Sequence, residues 1–184
     1  MPLESLTAHL DASPTAALPP VDTWNPPFCG DMALTIAADG RWWHEGTPMG
    51  RARLVRLLSR LLRREEDGDY YLVTPVEKLR IQVEDRPFLI ADADCRDGVW
   101  TLTTNLGDSV TLGAERRLMV SAMPGGDPVP EVAIRFGLSA RLNRNVYYRL
   151  IDTAEMHETP NGSELGMYSD GVWQPLGWLP EETP

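Results

Sequence analysis

Asp39-Gly40-Arg41-Trp42, Asp97-Gly98-Val99-Trp100 and Asp170-Gly171-Val172-Trp173 repeat one pattern, Asp-Gly-x-Trp, three times along the chain. An Asp-Gly pair accepts the positive φ angles of a type I′ turn, so each copy predicts a tight hairpin between two antiparallel strands. A Trp just past such a turn can pack across the hairpin onto the opposite strand. The pattern predicts a fold built mainly from β-hairpins and suggests internal repetition.

The composition is that of a folded, acidic protein. Of the 184 residues, 42% are hydrophobic and 24% are charged, which is enough apolar material for a core. The net charge of −10 disfavours nucleic-acid binding, because that binding depends on neutralising phosphates. No apolar run approaches the ~20 residues that cross a bilayer, and the first residues lack the features of a secretory signal. We therefore expect a cytoplasmic protein with neither a nucleic-acid nor a membrane partner.

The chain shows little sign of catalytic or metal chemistry. Its two cysteines, Cys29 and Cys95, are far apart, and its three histidines have no ligand spacing. It contains no P-loop, dinucleotide-binding fingerprint or nucleophile elbow. We expect no metal site, no cofactor and no catalytic residue, and we favour a non-enzymatic protein. An activated Cys29 beside His44 is the arrangement that would support an enzyme instead.

Two amphipathic helices stand out among the predicted strands. Leucines recur at helical spacing over Met49 to Glu65, after a start signal at Thr47-Pro48, and five arginines occupy the opposite side. This arginine stripe either binds phosphates or an acidic partner, or is simply a solvated helix face. Asn143 predicts the cap of a second helix. A short helix near Leu3 to Leu10 and a flexible tail at residues 181–184 complete the prediction.

A strand-helix-strand order occurs twice. The first copy consists of Asp31–Ile36, the arginine-rich helix and Asp69–Val73. The second copy consists of Glu131–Phe136, the second helix and Glu164–Ser169, at an offset of about a hundred residues. The identity between the two segments is low. Duplication and chance both explain the correspondence.

Cations beside aromatic and amide groups give the candidate ligand site. Lys78, the only lysine, and Arg80 follow two tyrosines, a combination that suits an anionic or nucleotide-like ligand. The alternative is an ion pair of Lys78 and Arg80 with Glu77. At the start of the second helix, Asn143 and Arg144 lie where free N–H groups attract anions. Asn143 acting only as a helix cap is the alternative there.

Several blocks resemble the uncharacterised bacterial family known as domain of unknown function 1285. They are Phe28-Cys29-Gly30-Asp31 running into Asp39-Gly40-Arg41-Trp42, Tyr70 through Glu84, and Ala133 through Leu138 running into Asn145 through Leu150. The resemblance covers roughly residues 22–178. It implies a two-lobed α+β protein with a duplicated core and a second lobe similar to a pleckstrin-homology domain. It also implies a nucleotide-like ligand between the lobes and a signalling role, and it assigns no catalytic residue.

These observations combine into one prediction. We expect an α+β protein of two lobes with a duplicated strand-helix-strand core and mostly antiparallel sheets. Its domains would be an N-terminal extension (1–21), an α+β lobe (22–84) and a pleckstrin-homology-like lobe (85–184). It would be a regulatory or sensor module that binds a small anionic ligand through five residues: Lys78, Arg80, Asn143, Arg144 and Tyr148. The alternative is a protein-interaction adaptor that uses an exposed hairpin edge or the aromatic patch around Trp173 and Trp178.

Overall fold

The computed structural model describes residues 3–8, 10 and 16–180. The chain divides into two compact units. Unit 1 comprises Met1–Pro87 together with Arg135–Leu138, and unit 2 comprises Phe88–Ile134 and Ser139–Pro184. The predicted flexible tail at residues 181–184 lies outside the described residues.

Unit 1 contains one six-stranded sheet, which we call sheet A. Its elements in chain order are α1 (Leu3–Leu6), β1 (Phe28–Ile36), β2 (Trp42–His44), β3 (Thr47–Pro48), α2 (Ala52–Ser59), β4 (Leu62–Arg64), β5 (Tyr70–Val73) and β6 (Lys78–Val83). The strand order is β3-β2-β1-β6-β5-β4. The sheet therefore consists of two antiparallel three-stranded meanders, joined where β1 runs parallel to β6.

Helix α2 is shorter than the sequence predicts. It spans only Ala52–Ser59, and the residue before it, Arg51, makes no capping hydrogen bond with its side chain. The leucine pattern continues past Ser59, but Leu62 belongs to β4 and pairs with Leu72 of β5. Both leucines are fully buried. Pairing with the apolar strand β5 outweighs the local helical preference there, because propensity is weak compared with tertiary contacts.

The arginine stripe is also divided between two roles. Arg53 and Arg56 are exposed on α2, as a solvated face requires. Arg60 donates to the backbone carbonyls of Ala16 and Ala17, and Arg63 donates to those of Val21 and Trp24. These two arginines fix the segment that precedes sheet A.

Unit 2 contains a second six-stranded sheet, sheet B, and a three-stranded sheet, sheet C. Apart from Arg135 and Leu138, which belong to unit 1, its elements are β7 (Phe88–Arg96), β8 (Val99–Thr104), β9 (Ser109–Thr111), β10 (Met119–Met123), β11 (Gly126–Arg135), β12 (Leu138–Leu142), α3 (Arg144–Ile151), β13 (Glu155–Thr159), β14 (Gly162–Ser169) and β15 (Val172–Pro180). Sheet B has the order β10-β11-β12-β7-β8-β9, and sheet C has the order β13-β14-β15. The predicted Asn143 cap is present, since its Oδ1 accepts from Val146 N at 2.8 Å.

Sheets A and B have the same topology. In sheet B the meanders β7-β8-β9 and β10-β11-β12 meet where β12 runs parallel to β7, as β6 runs parallel to β1 in sheet A. This is a duplication-like architecture in which β1, beginning at Phe28, corresponds to β7, beginning at Phe88. The repeat suggested by the sequence instead relates β1 to β11. The two strands of its second copy lie in different sheets, β11 in sheet B and β14 in sheet C.

The Asp-Gly turns account for two of the hairpins directly. Asp97 and Gly98 both have positive φ between β7 and β8, and so do Asp170 and Gly171 between β14 and β15. These are two-residue connections of the type that the sequence predicts. The first copy connects β1 to β2 through a longer loop, in which only Gly40 has positive φ.

Candidate functional site

Lys78 is held by a carboxylate within unit 1. Its Nζ lies 2.8 Å from Glu65 Oε2 and 3.0 Å from Glu65 Oε1, and 4.8 Å from the centre of the Tyr71 ring. Only 17% of the Lys78 side chain is exposed. Glu65 also accepts from Arg63. An incoming anion would therefore have to displace Glu65 in order to reach the Lys78 ammonium.

Arg80 is neutralised in the same way. Its Nε lies 2.6 Å from Asp31 Oδ1, and its Nη1 lies 3.1 Å from Asp69 Oδ2. Asp31 is directly opposite Arg80 in the parallel pairing of β1 with β6. The carboxylates that pair with Lys78 and Arg80 are thus Glu65, Asp31 and Asp69. Glu77, which the sequence offers as the partner, is not among them.

The pKa shifts in unit 1 have the signs expected for paired charges. Burial raises the pKa of Glu65, but hydrogen bonds from Lys78 and Arg63 outweigh burial and leave that pKa below its ordinary value. The hydrogen bond from Arg80 lowers the pKa of Asp31. A carboxylate that accepts hydrogen bonds from cations favours its ionised form. Each of these pairs is therefore stabilised as an ion pair at neutral pH.

Tyr71 belongs to the same network through its hydroxyl. The Oη donates to Asp67 Oδ2 at 2.6 Å, and this hydrogen bond is the main reason that the pKa of Tyr71 rises to about 12. The Phe28 ring meets the Tyr71 ring edge to face at 6.2 Å. The tyrosine is thus occupied by its own protein neighbours.

A cavity of about 460 Å³ in unit 1 includes Glu65 in its wall. Its lining residues are Asp22, Arg63, Arg64, Glu65, Glu66, Asp67 and Phe136. Four carboxylates face two guanidiniums in this set. The cavity wall is therefore acidic overall, which disfavours an anion there.

The other three predicted residues lie together at the start of α3 in unit 2. The Asn143 side chain serves as the helix cap. The Arg144 guanidinium lies 5.9 Å from the centre of the Tyr148 ring, and Tyr148 is 54% exposed. Within the described part of the chain, Arg144 has no carboxylate partner. The five predicted residues therefore fall into two groups, Lys78 with Arg80 in unit 1 and Asn143 with Arg144 and Tyr148 in unit 2.

A second feature of unit 2 is an aromatic cluster on one face of sheet C. Residues opposite each other in paired strands share a face, and two such pairs are Tyr168 with Trp173 and Glu164 with Trp178. His157 is opposite Glu164 on the other side. We call this the aromatic face, defined by Glu155, His157, Glu164, Gly166, Tyr168, Trp173 and Trp178.

Trp173 is held by several neighbours on this face. Its ring stacks on His157 with centroids 3.7 Å apart and planes 12° from parallel, and its Nε1 donates to Glu164 Oε2 at 2.7 Å. The indole passes directly over Gly166, where a Cβ would come within 2.5 Å of Trp173 Cζ2. The Tyr168 ring meets the indole edge-on at 5.2 Å. These contacts together hold the Trp173 ring in one orientation.

The sequence signals part of this face. It singles out Trp173 and Trp178, but it gives no weight to His157, Glu164 or Gly166. The composition around these two tryptophans is also a signal, because residues 155–180 contain four carboxylates and neither lysine nor arginine.

Cys29 and Cys95 are both exposed, and the Cys29 thiol lies 3.4 Å from the Pro27 carbonyl oxygen. Among the described residues, no group of three or more His, Cys, Asp or Glu side chains is placed to hold a metal ion. In residues 3–8, 10 and 16–180, no helix is long and apolar enough to span a membrane.

The fold defines a mostly β protein of the α+β type, with two six-stranded sheets in two compact units. Two family models together match residues 19–176 of the chain. The N-terminal domain of DUF1285, a domain of unknown function, matches residues 19–86, and the C-terminal domain of DUF1285 matches residues 87–176. The chain belongs to the DUF1285 family.

Two solved structures are similar to the chain. A DUF1285 family protein from Silicibacter pomeroyi DSS-3 is 38% identical with a TM-score of 0.83, and the match covers 97% of this chain and 96% of that one. A DUF1285 family protein from Shewanella baltica OS155 is 27% identical with a TM-score of 0.53, covering 66% of this chain and 91% of that one. No curated protein matches.

Proposed function

We propose that the protein is a non-enzymatic binding module whose aromatic face contacts a protein partner. The observation that carries the proposal is the exposure of large rings on that face: Tyr168 is 46% exposed and Trp178 is 48% exposed. Clustered exposed aromatic groups commonly mark interaction surfaces, whereas single exposed apolar residues need no explanation. Aromatic side chains also dominate the energetics of protein interfaces.

The rigidity of Trp173 adds to the argument. Its ring is already ordered by His157, by Glu164 and by the gap at Gly166. A surface that is ordered before binding loses less conformational entropy when a partner arrives. A merely solvated tryptophan would need neither a hydrogen-bond partner nor a glycine beneath it.

Site-specific photo-crosslinking in the native host tests this proposal. A benzophenone side chain at position 168 or 178 should give a discrete crosslinked product, because a partner would cover both positions. Val76 of unit 1, which is also well exposed, provides the control position. An absence of products, or the same products from position 76, would contradict the proposal.

We propose as a second candidate a sensor module that binds a small anionic, nucleotide-like ligand. It is favoured by Arg144, which has a stacking partner in Tyr148 but no carboxylate partner within the described residues. An anion here would meet an available guanidinium and an exposed ring. Lys78 and Arg80 of unit 1 are separate candidates, open to an anion only if it displaces their carboxylates. A cytoplasmic signalling role and a pleckstrin-homology-like second unit belong to the same proposal. The likeness of the second unit is supported by its order of elements, two meanders followed by α3.

A thermal-shift screen against nucleotides tests the second candidate. A stabilising nucleotide should lose its effect in Arg144→Ala and keep it in the matched control Arg53→Ala, which removes an exposed arginine from α2. A library without any stabilising nucleotide, or an equal loss in Arg53→Ala, would rule the candidate out.

A further inference from the structure

We infer that the partner of the aromatic face is an extended, basic polypeptide segment that adds as a strand to β13. This inference rests on the proposed interaction function and specifies the chemistry of the partner and its mode of binding.

The edge of sheet C favours strand addition. β13 is the last strand in the order β13-β14-β15, so one of its sides has no strand neighbour within the described chain. An edge strand presents backbone N–H and C=O groups that can pair with an added strand. The other edge differs, because β15 packs against β10 and its Trp173 carbonyl accepts from Arg117 Nη2 at 3.0 Å.

The charge around β13 selects a basic partner. Glu155 and Glu158 lie on the edge strand itself, and Glu164 lies on the neighbouring strand. Residues 155–180 themselves contain no lysine or arginine. Glu155 is exposed and makes no ion pair within the part of the chain that the structure describes. A second copy of this chain does not suit the free edge of β13, because pairing two β13 strands would bring their carboxylates together.

The aromatic rings suit the same partner. The side chains of an added strand alternate between the two faces of the sheet, so every second residue lies on the side of Tyr168 and Trp173. A guanidinium or ammonium there can lie over an aromatic ring while a glutamate accepts its hydrogen bonds. Acidic and aromatic groups on one face thus favour lysine or arginine at alternate positions of the partner.

Synthetic peptides test the inference with the whole 184-residue chain. A ten-residue peptide that alternates Lys with Val should bind, followed through the Trp173 indole N–H signal in NMR spectra. The same peptide with Glu in place of Lys should bind at least tenfold more weakly. Methylating alternate backbone nitrogens of the basic peptide should abolish binding if strand pairing is the mode.

Charge reversal on the protein provides the matched comparison. Glu155→Lys should weaken binding of the basic peptide at least tenfold, whereas Glu45→Lys, at an exposed position of unit 1, should leave it within twofold. Equal binding of the acidic and basic peptides, equal effects of the two variants, or no binding of the basic peptide at millimolar concentration would overturn the inference. If photo-crosslinking at position 168 still captures a partner, the proposed function survives and only the strand-addition mode is lost.

Discussion

Gly166→Ala is the substitution that most directly tests how the aromatic face is built. An added Cβ would lie 2.5 Å from Trp173 Cζ2, 2.6 Å from Trp173 Cε2 and 2.6 Å from the Gln174 carbonyl oxygen. The ring can move only by leaving His157 and Glu164. The carbonyl can move only by shifting β15.

The magnitude follows from these two obstacles. Overpacking in a tightly packed site costs about 1–3 kcal/mol, and a backbone obstacle places this case near the upper end. For a protein of 150–250 residues, 1 kcal/mol lowers Tm by about 2–4 °C. We therefore expect Gly166→Ala to lower Tm by about 6–12 °C and to shift the Trp173 indole N–H resonance.

Calorimetry and NMR spectra measure the two effects, with Gly177→Ala of the same sheet as the control. At Gly177 the nearest atom to an added Cβ is Tyr147 Oη at 3.5 Å, an ordinary contact. In the double variant Gly166→Ala/Trp173→Ala, the two substitutions should cost less than the sum of their separate effects, because the ring obstacle has been removed. If Gly166→Ala costs no more than Gly177→Ala and leaves the indole signal in place, the reasoning is wrong.

Three further predictions concern the charged groups. Arg141→Met should destabilise unit 2 by about 3–5 kcal/mol in urea unfolding. The 1% exposed guanidinium donates to three backbone carbonyls and lies 3.8 Å from Glu131, and the substitution would remove these hydrogen bonds and this ion pair. A loss below about 1 kcal/mol would contradict this prediction. The lowered pKa of Glu65 means that its stabilising contribution is present above the pKa of the unfolded chain and is lost as pH falls through the folded-state pKa. The free energy of unfolding should therefore fall less steeply between about pH 5 and 3 in Glu65→Gln than in the wild type. Parallel pH profiles of the two proteins would refute this prediction. In an ultraviolet titration, Asp67→Asn should move the pKa of Tyr71 from about 12 back toward its ordinary value, because it removes the carboxylate that accepts from the Tyr71 hydroxyl. Tyr71→Phe assigns the transition to this tyrosine. An unmoved transition would show that the hydrogen bond to Asp67 does not cause the raised pKa.

The sequence predicts those parts of the fold that depend on local chemistry. Asp97-Gly98 and Asp170-Gly171 specify their hairpins because both residues of each pair can adopt positive φ. Asn143 specifies the start of α3 because its side chain satisfies an N–H group three residues away. Each of these features is complete within a few residues, so neighbouring residues are sufficient to reveal it.

The candidate site is predicted only in part. The sequence singles out Lys78 and Arg80 as functional cations, but not Glu65 and Asp31 as their partners. Asp31 and Arg80 are 49 residues apart and meet only because β1 pairs with β6 in one particular register. A register of this kind depends on the whole sheet and leaves no local signal.

The contrast between α2 and the aromatic face shows what the sequence determined and what required tertiary structure. The leucine spacing correctly determines that an amphipathic helix forms, while the pairing of Leu62 with Leu72 decides where it ends. The Asp-Gly-Val-Trp pattern determines that Trp173 follows a tight turn, while the alignment of β13, β14 and β15 decides that its ring covers Gly166 and stacks on His157. Turns and caps are short-range and set by backbone preferences, whereas strand partners and charge pairs are chosen by burial summed over residues far apart in the chain.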